Sequence, residues 1–370
     1  MIKTYVEKRY SDPYAVPFYV ENLTGANNTL SIAKNNNNAP TVTVEYSTDE
    51  QNWATLGRTS RTPLTYNIPA GGRVYLRANA NAWGNTSQYN KITASGNYAV
   101  GGNIMSLLYK DNFAQQTTLS TEYTFNSLFT NSRLVKADNL LMPATTLANG
   151  CYIQMFGQCT SLTSAPALPA TTLAVRCYSE MFYSCTALTA APALPATTLA
   201  AYCYNRMFHN CTSLATAPAL PATTLANSCY YQLFLGCTSL TAAPALPATT
   251  LADSCYYRMF KDCTSLTTAP ALPATTLAVS CYNQMFNSCT SLTTAPELPV
   301  TTLASQCYMY MFSNCSNLNS INVSATSWDT SYTTDWVLGV SATGTFTKPS
   351  DTTIPEGTSG IPSGWTVINV

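Results

Sequence analysis

The chain has 370 residues, of which only 9% are charged, and its formal net charge is zero. A neutral chain without basic runs argues against nucleic-acid binding and against a polybasic patch for a membrane surface. No run approaches the roughly 18 apolar residues that cross a bilayer, so we expect no membrane insertion.

The first 25 residues carry charges and lack the apolar core of a secretory signal peptide. If Met1 is the native start, we expect the chain not to leave the cell by the secretory route. This expectation bears on where the protein acts, because a component of a virus particle assembles inside its host and needs no leader.

Residues 1–125 contain no cysteine, and short runs with strand character alternate with turn signals. The runs at 17–21, 41–46 and 73–77 are rich in β-branched and aromatic residues, and Val42, Val44 and Tyr46 alternate with polar neighbours. This spacing predicts an all-β sandwich. We expect it to be an anchoring domain, with residues from about 101 as a junction.

A 26-residue unit is then written seven times, from Cys151 to Cys315. The copies open CYIQMFGQC, CYSEMFYSC, CYNRMFHNC, CYYQLFLGC, CYYRMFKDC, CYNQMFNSC and CYMYMFSNC, and they contain all 14 cysteines. A degenerate copy without cysteines precedes them at 128–129 and 142–147. A period of this length predicts a solenoid over residues 126–323.

Within one unit, the fixed apolar positions fall at 0, 1, 4, 5 and 8 counted from the first cysteine. Such spacing favours one face of a short helix, with Cys151, Tyr152, Met155, Phe156 and Cys159 facing inward. The following stretch, 161–169, has too many prolines for a helix. It is predicted as a short extended segment that buries Leu162, Ala165 and Leu168.

Residues 324–370 are rich in Ser, Thr and Gly and contain three tryptophans. They predict a small β-type cap, with disorder as the alternative. The fold class is therefore predicted as α+β: an N-terminal all-β sandwich, a leucine-rich-repeat solenoid of seven coils with one short helix and one short extended segment each, and a small β C-terminal cap.

The phrase F-x-x-C-T-S-L-T-x-A-P-x-L-P-x-T-T-L resembles the BspA-like leucine-rich repeats of bacterial surface proteins. Those units carry an A-F-x-x-C-x-x-L-x-x-I-x-I-P pattern and are shorter than this one. Flanks such as GNYAVGGNIMSLLY and GIPSGWTV are similar to those of repeat proteins carried by gut Bacteroidetes and their phages. The resemblance implies an adhesin-type, non-enzymatic protein.

The paired cysteines raise the possibilities of disulfides and of metal binding. In a helix, Cys151 and Cys159 would be about 12 Å apart, too far for a disulfide. Cysteines in successive coils would have parallel side chains, which favours a ladder over a bridge. The C-x₂₋₄-C spacing of metal sites is absent. We therefore expect buried free thiols that fill a repeated slot.

The sequence contains one histidine, His209, and none of the motifs that we associate with hydrolases, phosphate loops or dinucleotide binding. Gly101-Gly102 is a weak glycine signal without a Lys-Ser or Lys-Thr continuation. Carboxylates are scarce in the repeats, so paired-carboxylate chemistry has few candidates. We expect no enzymatic activity, no cofactor and no metal.

Two faces of the repeats are candidates for binding. The Pro-Ala-Thr-Thr-Leu side is nearly constant and suits a periodic polysaccharide or a second copy of the chain. The outward slots of the cysteine-bearing segment vary from copy to copy and suit a distinct partner; the alternative is that they are merely solvated. The candidate ligand-facing residues there are Arg176, Glu180, Tyr202, Arg206, His209, Tyr231, Tyr257, Arg258 and Lys261.

These patterns favour a non-enzymatic protein of a phage virion: a fibre, decoration or receptor-binding subunit. Its expected partners are other virion proteins, through the N-terminal domain, and a bacterial surface glycan or protein. A trimer is one expected assembly. The alternative is an adhesin at the bacterial cell surface whose leader is missing from this sequence.

Overall fold

The computed structural model describes residues 12–370. Residues 1–11 lie outside the described residues; the predicted anchoring domain begins there, and they belong to the stretch in which no signal peptide is expected. The chain divides into two compact units, one of residues up to 170 together with 185–193 and one of residues 171–184 together with 194–370.

Strands dominate the first part of the chain. They are β1 (Tyr19–Asn22), β2 (Asn28–Lys34), β3 (Thr43–Ser47), β4 (Ala54–Arg58), β5 (Leu64–Ile68), β6 (Arg73–Ala78), β7 (Asn90–Ala94), β8 (Tyr98–Asn103) and β9 (Leu134–Leu141). The runs predicted at 17–21, 41–46 and 73–77 correspond to β1, β3 and β6, which confirms these strand predictions. Short 3₁₀ turns occur at Pro13–Ala15 and Lys110–Asn112.

Two sheets are built from these strands. The larger has the order β4-β3-β6-β1-β8-β9, and the smaller has the order β5-β2-β7. Strand β1 pairs antiparallel with β6 and β8, placing Val20 opposite both Val74 and Val100. All three valines are buried, so the centre of the larger sheet is apolar.

The glycine pair in β8 has a packing role. A Cβ on Gly101 would meet the Tyr19 ring at 2.3 Å, and Gly102 has φ +71° with the Pro17 carbonyl oxygen 2.0 Å from the position a Cβ would take. Gly102 therefore allows the β8 backbone to approach the backbone at Pro17, and Gly101 leaves room for the ring of Tyr19.

The predicted fold class is wrong, because the repeats contain no helix. The only α-helix in residues 12–370 is α1 (Ser106–Tyr109), which lies before the repeats. We call the nine residues from the first to the second cysteine of each copy a turn segment. In the copy that begins at Cys255, three residues in and beside the turn segment have positive φ: Ser254 (54°), Arg258 (53°) and Asp262 (61°). A helix requires negative φ throughout, so these residues exclude it.

Backbone amides in a turn segment bond alternately in two directions. Met259 N and Cys263 N donate to carbonyls three residues back, over 3.1 Å each. Tyr256 N and Phe260 N instead donate to Cys281 O (3.1 Å) and Met285 O (2.9 Å) in the next copy. Consecutive turns and cross-repeat bonds together replace the helical ladder.

Side chains in the turn segment follow a period of four, with two residues inward and two outward. Cys151, Tyr152, Met155, Phe156 and Cys159 are all nearly inaccessible, so the predicted inward face is confirmed although its backbone is not helical. Inward tyrosines and phenylalanines stack on their equivalents, as at Tyr204–Tyr230 (5.9 Å between ring centroids) and Phe234–Phe260 (5.7 Å).

The proline-rich halves are extended and pair only through isolated bridges, such as Thr224↔Thr250 and Ala242↔Thr268. This is the irregularity expected where prolines cannot donate. Leu162 and Leu168 are buried as predicted, whereas Ala165 is only partly buried and Ala170 takes a core position.

The turn pattern extends to copies that lack cysteines. Residues 124–132 have positive φ at Ser127 and Asn131, and Phe125 stacks on Tyr152 with centroids 5.9 Å apart. In the second unit, residues 332–340 accept bonds from the preceding copy, and Trp336 contacts both Tyr308 and Phe312. Atypical first and last copies are expected where a repeated core must be closed.

The C-terminal residues pack, as predicted, and are not disordered. Strands β10 (Ser320–Asn322), β11 (Thr345–Lys348) and β12 (Thr366–Asn369) form a parallel sheet in that order. Trp336 and Trp365 are buried at 0% and 7% exposure, and their indole N–H groups donate to Gly360 O and Ser341 O.

Candidate functional site: the outward face of the turn segments

The nine candidate residues all lie in the second unit, at outward slots in or beside the turn segments. Tyr202 is 38% exposed, and the Arg206 side chain is 40% exposed. Glu180, Arg206 and Arg258 occupy one slot, the third after the first cysteine; Tyr231 and Tyr257 occupy the slot before it, and His209 and Lys261 lie three residues further along. The turn backbone thus aligns equivalent side chains from copy to copy.

Arg206 is held from two sides. Its Nε donates to Gln232 Oε1 over 2.8 Å, and its NH1 lies 4.0 Å from Glu180 Oε1. All three residues share one slot in successive copies. Gln232 is only 3% exposed, so the glutamine that orients Arg206 is itself fixed by burial.

A second cluster repeats the arrangement two copies later. Arg258 Nε donates to Gln284 Oε1 over 3.0 Å, and Gln284 Nε2 reaches Tyr257 Oη at 3.4 Å. The Arg258 guanidinium lies 4.9 Å from the centre of the Tyr257 ring, within cation–π range. Tyr231 stacks on Tyr257 with centroids 4.7 Å apart and planes within 6°. Contacts within the protein therefore use much of the Tyr257 ring surface.

Tyr231 also has an altered acidity. Burial, followed by the neighbouring Tyr257, raises the pKa of the Tyr231 hydroxyl, and Arg258 and Arg206 oppose the shift. The hydroxyl therefore stays protonated well above neutral pH and remains a donor as well as an acceptor.

His209 is packed edge-on against Tyr183, with ring centroids 5.0 Å apart. Its Nδ1 is buried, and among residues 12–370 no hydrogen-bond partner for it is seen. Burial, followed by the charge of Arg206, lowers the pKa of His209 to about 4, while Asp262 acts in the opposite direction. A neutral imidazole in this position has a packing role.

The remaining candidates also contact the equivalent slot of a neighbouring copy or their own neighbour in sequence. The Arg176 guanidinium lies 5.2 Å from the Tyr202 ring centre. Lys261 Nζ donates to Asn287 Oδ1 over 2.6 Å and lies 3.9 Å from Asp262. The interpretation that these slots are simply solvated is therefore incomplete, because the varying residues form specific pairs.

Sequence reasoning missed Gln232, Gln284 and Asn287 as members of this face. The signal that identifies them is the repeat itself, since each lies 26 residues after a candidate cation. The register of the copies places a side-chain amide, 26 residues later in the sequence, beside each of Arg206, Arg258 and Lys261.

The cysteines lie inside the repeats, away from this face. All 14 are buried and unbridged, as predicted. The second cysteine of each copy has an additional role that sequence reasoning missed, because its thiol donates to a phenylalanine carbonyl of the preceding copy, as in Cys263 Sγ to Phe234 O at 3.1 Å. Equivalent bonds of 3.0–3.1 Å are made by Cys159, Cys185, Cys211, Cys237, Cys289 and Cys315.

Burial raises the pKa of the thiol in eleven of these cysteines, to about 12 for Cys255 and Cys315. A protonated thiol is the form that can donate, and it is a poor nucleophile. In the described part of the chain, no three side chains of His, Cys, Asp or Glu lie close enough together to hold a metal ion.

Comparison with protein-family models found no match. Comparison with curated proteins found none. Comparison with solved structures likewise found none. Among the described residues, no helix is both long enough and apolar enough to cross a membrane.

Proposed function

We propose that this chain is a non-enzymatic binding protein of a phage virion, a fibre, decoration or receptor-binding subunit that attaches to a bacterial surface glycan or protein. The observation that carries the binding role is the row Arg206–Gln232–Arg258–Gln284. Each arginine in it is oriented by the glutamine one copy later.

Orientation before binding matters energetically. A long side chain that is immobilised only on binding costs about 0.5–1.5 kcal/mol in lost rotamer freedom. Here the arginines and tyrosines already hold one another, so less is lost when a partner arrives. The geometry suits recognition of polar groups, since ring faces are partly used internally while hydroxyl and guanidinium groups point outward.

The virion setting is supported by the adhesin-type repeat phrase and by flanks similar to those of repeat proteins carried by phages. In this proposal the N-terminal sheets contact other virion proteins, and the turn segments face the host. The alternative, supported by the repeat phrase alone, is a bacterial surface adhesin that uses the same face.

Binding can be tested with the purified chain on an array of bacterial surface polysaccharides. We expect at least one polysaccharide to bind, and Tyr231→Ala/Tyr257→Ala to weaken that binding at least fivefold. Thr223→Ala/Thr249→Ala, on the exposed constant face, is the matched control and should bind like the parent. Binding to no polysaccharide would contradict attachment to a glycan, and equal loss in both variants would contradict the role given to the outward face.

Location is tested separately by electron microscopy with gold-labelled antibody. Label on phage particles supports the virion assignment, and label on the bacterial envelope alone supports the adhesin.

A further inference from the structure

We propose that Arg206 and Arg258 bind the carboxylates of an acidic polysaccharide, a polymer of sugar acids. This inference rests on the proposed function and adds the chemical class of the ligand. It comes from four features of the outward face: the orientation of the two guanidinium groups, their charge balance, their separation and the groups around them.

The first feature is orientation. In each arginine Nε is engaged by a glutamine oxygen, at 2.8 Å for Arg206 and 3.0 Å for Arg258. A guanidinium has five N–H donors, and this bond uses the one on the stem side. The terminal nitrogens carry the remaining four, which is the geometry for bidentate binding of a carboxylate.

The second feature is incomplete charge compensation. In residues 12–370, Arg258 takes part in no ion pair. Arg206 has only the 4.0 Å contact with Glu180, at the outer limit of an ion pair. The row therefore presents one unpaired and one loosely paired cation, while the chain as a whole is neutral.

The third feature is spacing. Arg206 and Arg258 occupy the same slot two copies apart. Successive phenylalanine rings are 5.7 Å apart in the Phe208–Phe234–Phe260 series, so two slots two copies apart are separated by about 11 Å. Two sugar units span a comparable length, so a polymer with one acid per one or two sugars can meet both arginines at once.

The fourth feature is the chemistry around the two cations. Tyr231 and Tyr257 present hydroxyls there, beside rings that are already stacked, and Gln284 adds a half-buried amide. Hydroxyls and amides match the hydroxyl groups of a sugar. A polyanion without sugar hydroxyls, such as single-stranded DNA, would keep the two charge contacts but not the hydrogen bonds to sugar hydroxyls.

The test measures binding of the full chain to polygalacturonate, alginate and polysialate, each paired with its carboxyl-reduced neutral form. We expect at least one acidic form to bind at least tenfold more tightly than its neutral partner. Arg206→Gln/Arg258→Gln should lose at least tenfold in affinity, and raising NaCl from 50 to 300 mM should weaken the parent. Arg61→Gln, an exposed arginine of the N-terminal half, is the control and should bind normally.

Glu180→Gln provides a readout in the opposite direction. Removing the carboxylate that competes for Arg206 should raise affinity for the acidic polymer two- to threefold. A thermal melt within about 2 °C of the parent shows that each variant is folded.

The inference is overturned if the arginine variant binds like the parent, if acidic and neutral forms bind equally, or if single-stranded DNA of equal charge competes equally well. It is also overturned if the chain binds only neutral polysaccharides, in which case the proposed function stands. Binding to no polysaccharide at all contradicts the glycan attachment in the proposed function as well.

Discussion

In the N-terminal strands and in the turn segments, the backbone N–H and C=O groups form hydrogen bonds with different kinds of partner. In the sheets each strand pairs with neighbours that are distinct in sequence, as β1 does with β6 and β8. In a turn segment, half of the amides close turns three residues long and half bond to the next copy, about 25 residues away. A residue in a sheet therefore has neighbours from strands of different sequence, whereas a residue in a turn segment has the equivalent residues of the two adjacent copies as its neighbours.

Because of this difference, we expect the two regions to respond differently to substitution. In the sheets, a side chain contributes to one local set of contacts. In the repeats, each inward ring lies between two equivalent rings, and each outward cation is oriented by the slot one period later. The binding face is consequently a property of neighbouring copies together, and a single isolated copy would not hold its arginine in place.

The largest expected loss of stability comes from removing one ring from the stacked phenylalanines of the repeats. Phe260 is fully buried, with the rings of Phe234 and Phe286 each 5.7 Å away. Phe260→Ala should lower the free energy of unfolding by about 3–5 kcal/mol, from lost burial and the cavity. Hydrogen exchange should show lost protection in the turn segments on both sides of it.

Leu76→Ala is the comparison change in the sheets, since Leu76 in β6 is equally buried. A loss of about 2–5 kcal/mol is expected, with exchange increased only near β6 and its neighbours. Periodic loss of protection in Leu76→Ala, or purely local loss in Phe260→Ala, would remove the distinction between the two regions.

A smaller effect separates the two cysteines of one copy. At Cys263, serine can keep the bond to the Phe234 carbonyl, whereas no thiol-to-carbonyl bond from Cys255 is seen among the described residues. A buried hydroxyl without such an acceptor costs about 1–3 kcal/mol. Urea unfolding should therefore show Cys255→Ser to be less stable than Cys263→Ser by about 1 kcal/mol, and the opposite order would refute the role given to the second thiol.

Acidification should act on the repeats through His209. Its pKa of about 4 in the folded chain is below the ordinary value of 6.5, so the folded form binds a proton less readily than the unfolded form. The stability that the neutral form contributes is complete above pH 6.5 and is lost as the pH falls towards 4. We expect the parent to lose about 1 kcal/mol more than His209→Gln between pH 7 and pH 4.5. Equal losses in thermal melts would contradict this.

Substitution by glycine should stabilise a turn segment and destabilise an N-terminal strand. Ser288 has φ 62°, and Gly236 occupies the equivalent slot two copies earlier. Ser288→Gly should stabilise the chain by about 0.5 kcal/mol, because it relieves a left-handed residue. Thr65→Gly, at an exposed position of β5, should destabilise it by about 1 kcal/mol. Destabilisation by both changes would argue against the left-handed turn geometry.

The strands could be predicted because alternation has only one structural interpretation, as with Val42, Val44 and Tyr46. The turn segments could not, because inward residues at 0, 1, 4, 5 and 8 fit a period of 4 as well as a period of 3.6 over nine residues. A distinguishing signal is present seven residues after the first cysteine, where six of the seven copies have a small polar residue or glycine: Ser184, Asn210, Gly236, Asp262, Ser288 and Asn314. Small polar residues and glycine tolerate positive φ and are poor helix formers.

Prediction of the candidate site was limited for a related reason. Variation between copies identifies Arg206 and Arg258 as outward residues, but their orientation depends on Gln232 and Gln284, whose relevance follows only from the register between copies. Sequence variation between copies identifies the outward positions, whereas the register between stacked copies identifies which side chains at those positions contact one another.

The repeats are built from stacked turns and contain no helix, and far-UV circular dichroism of the purified chain can measure this. We expect a helix content of a few per cent and no helical double minimum, since α1 is the only α-helix in residues 12–370. A helix content near one sixth of the chain, as seven nine-residue helices would give, would contradict it.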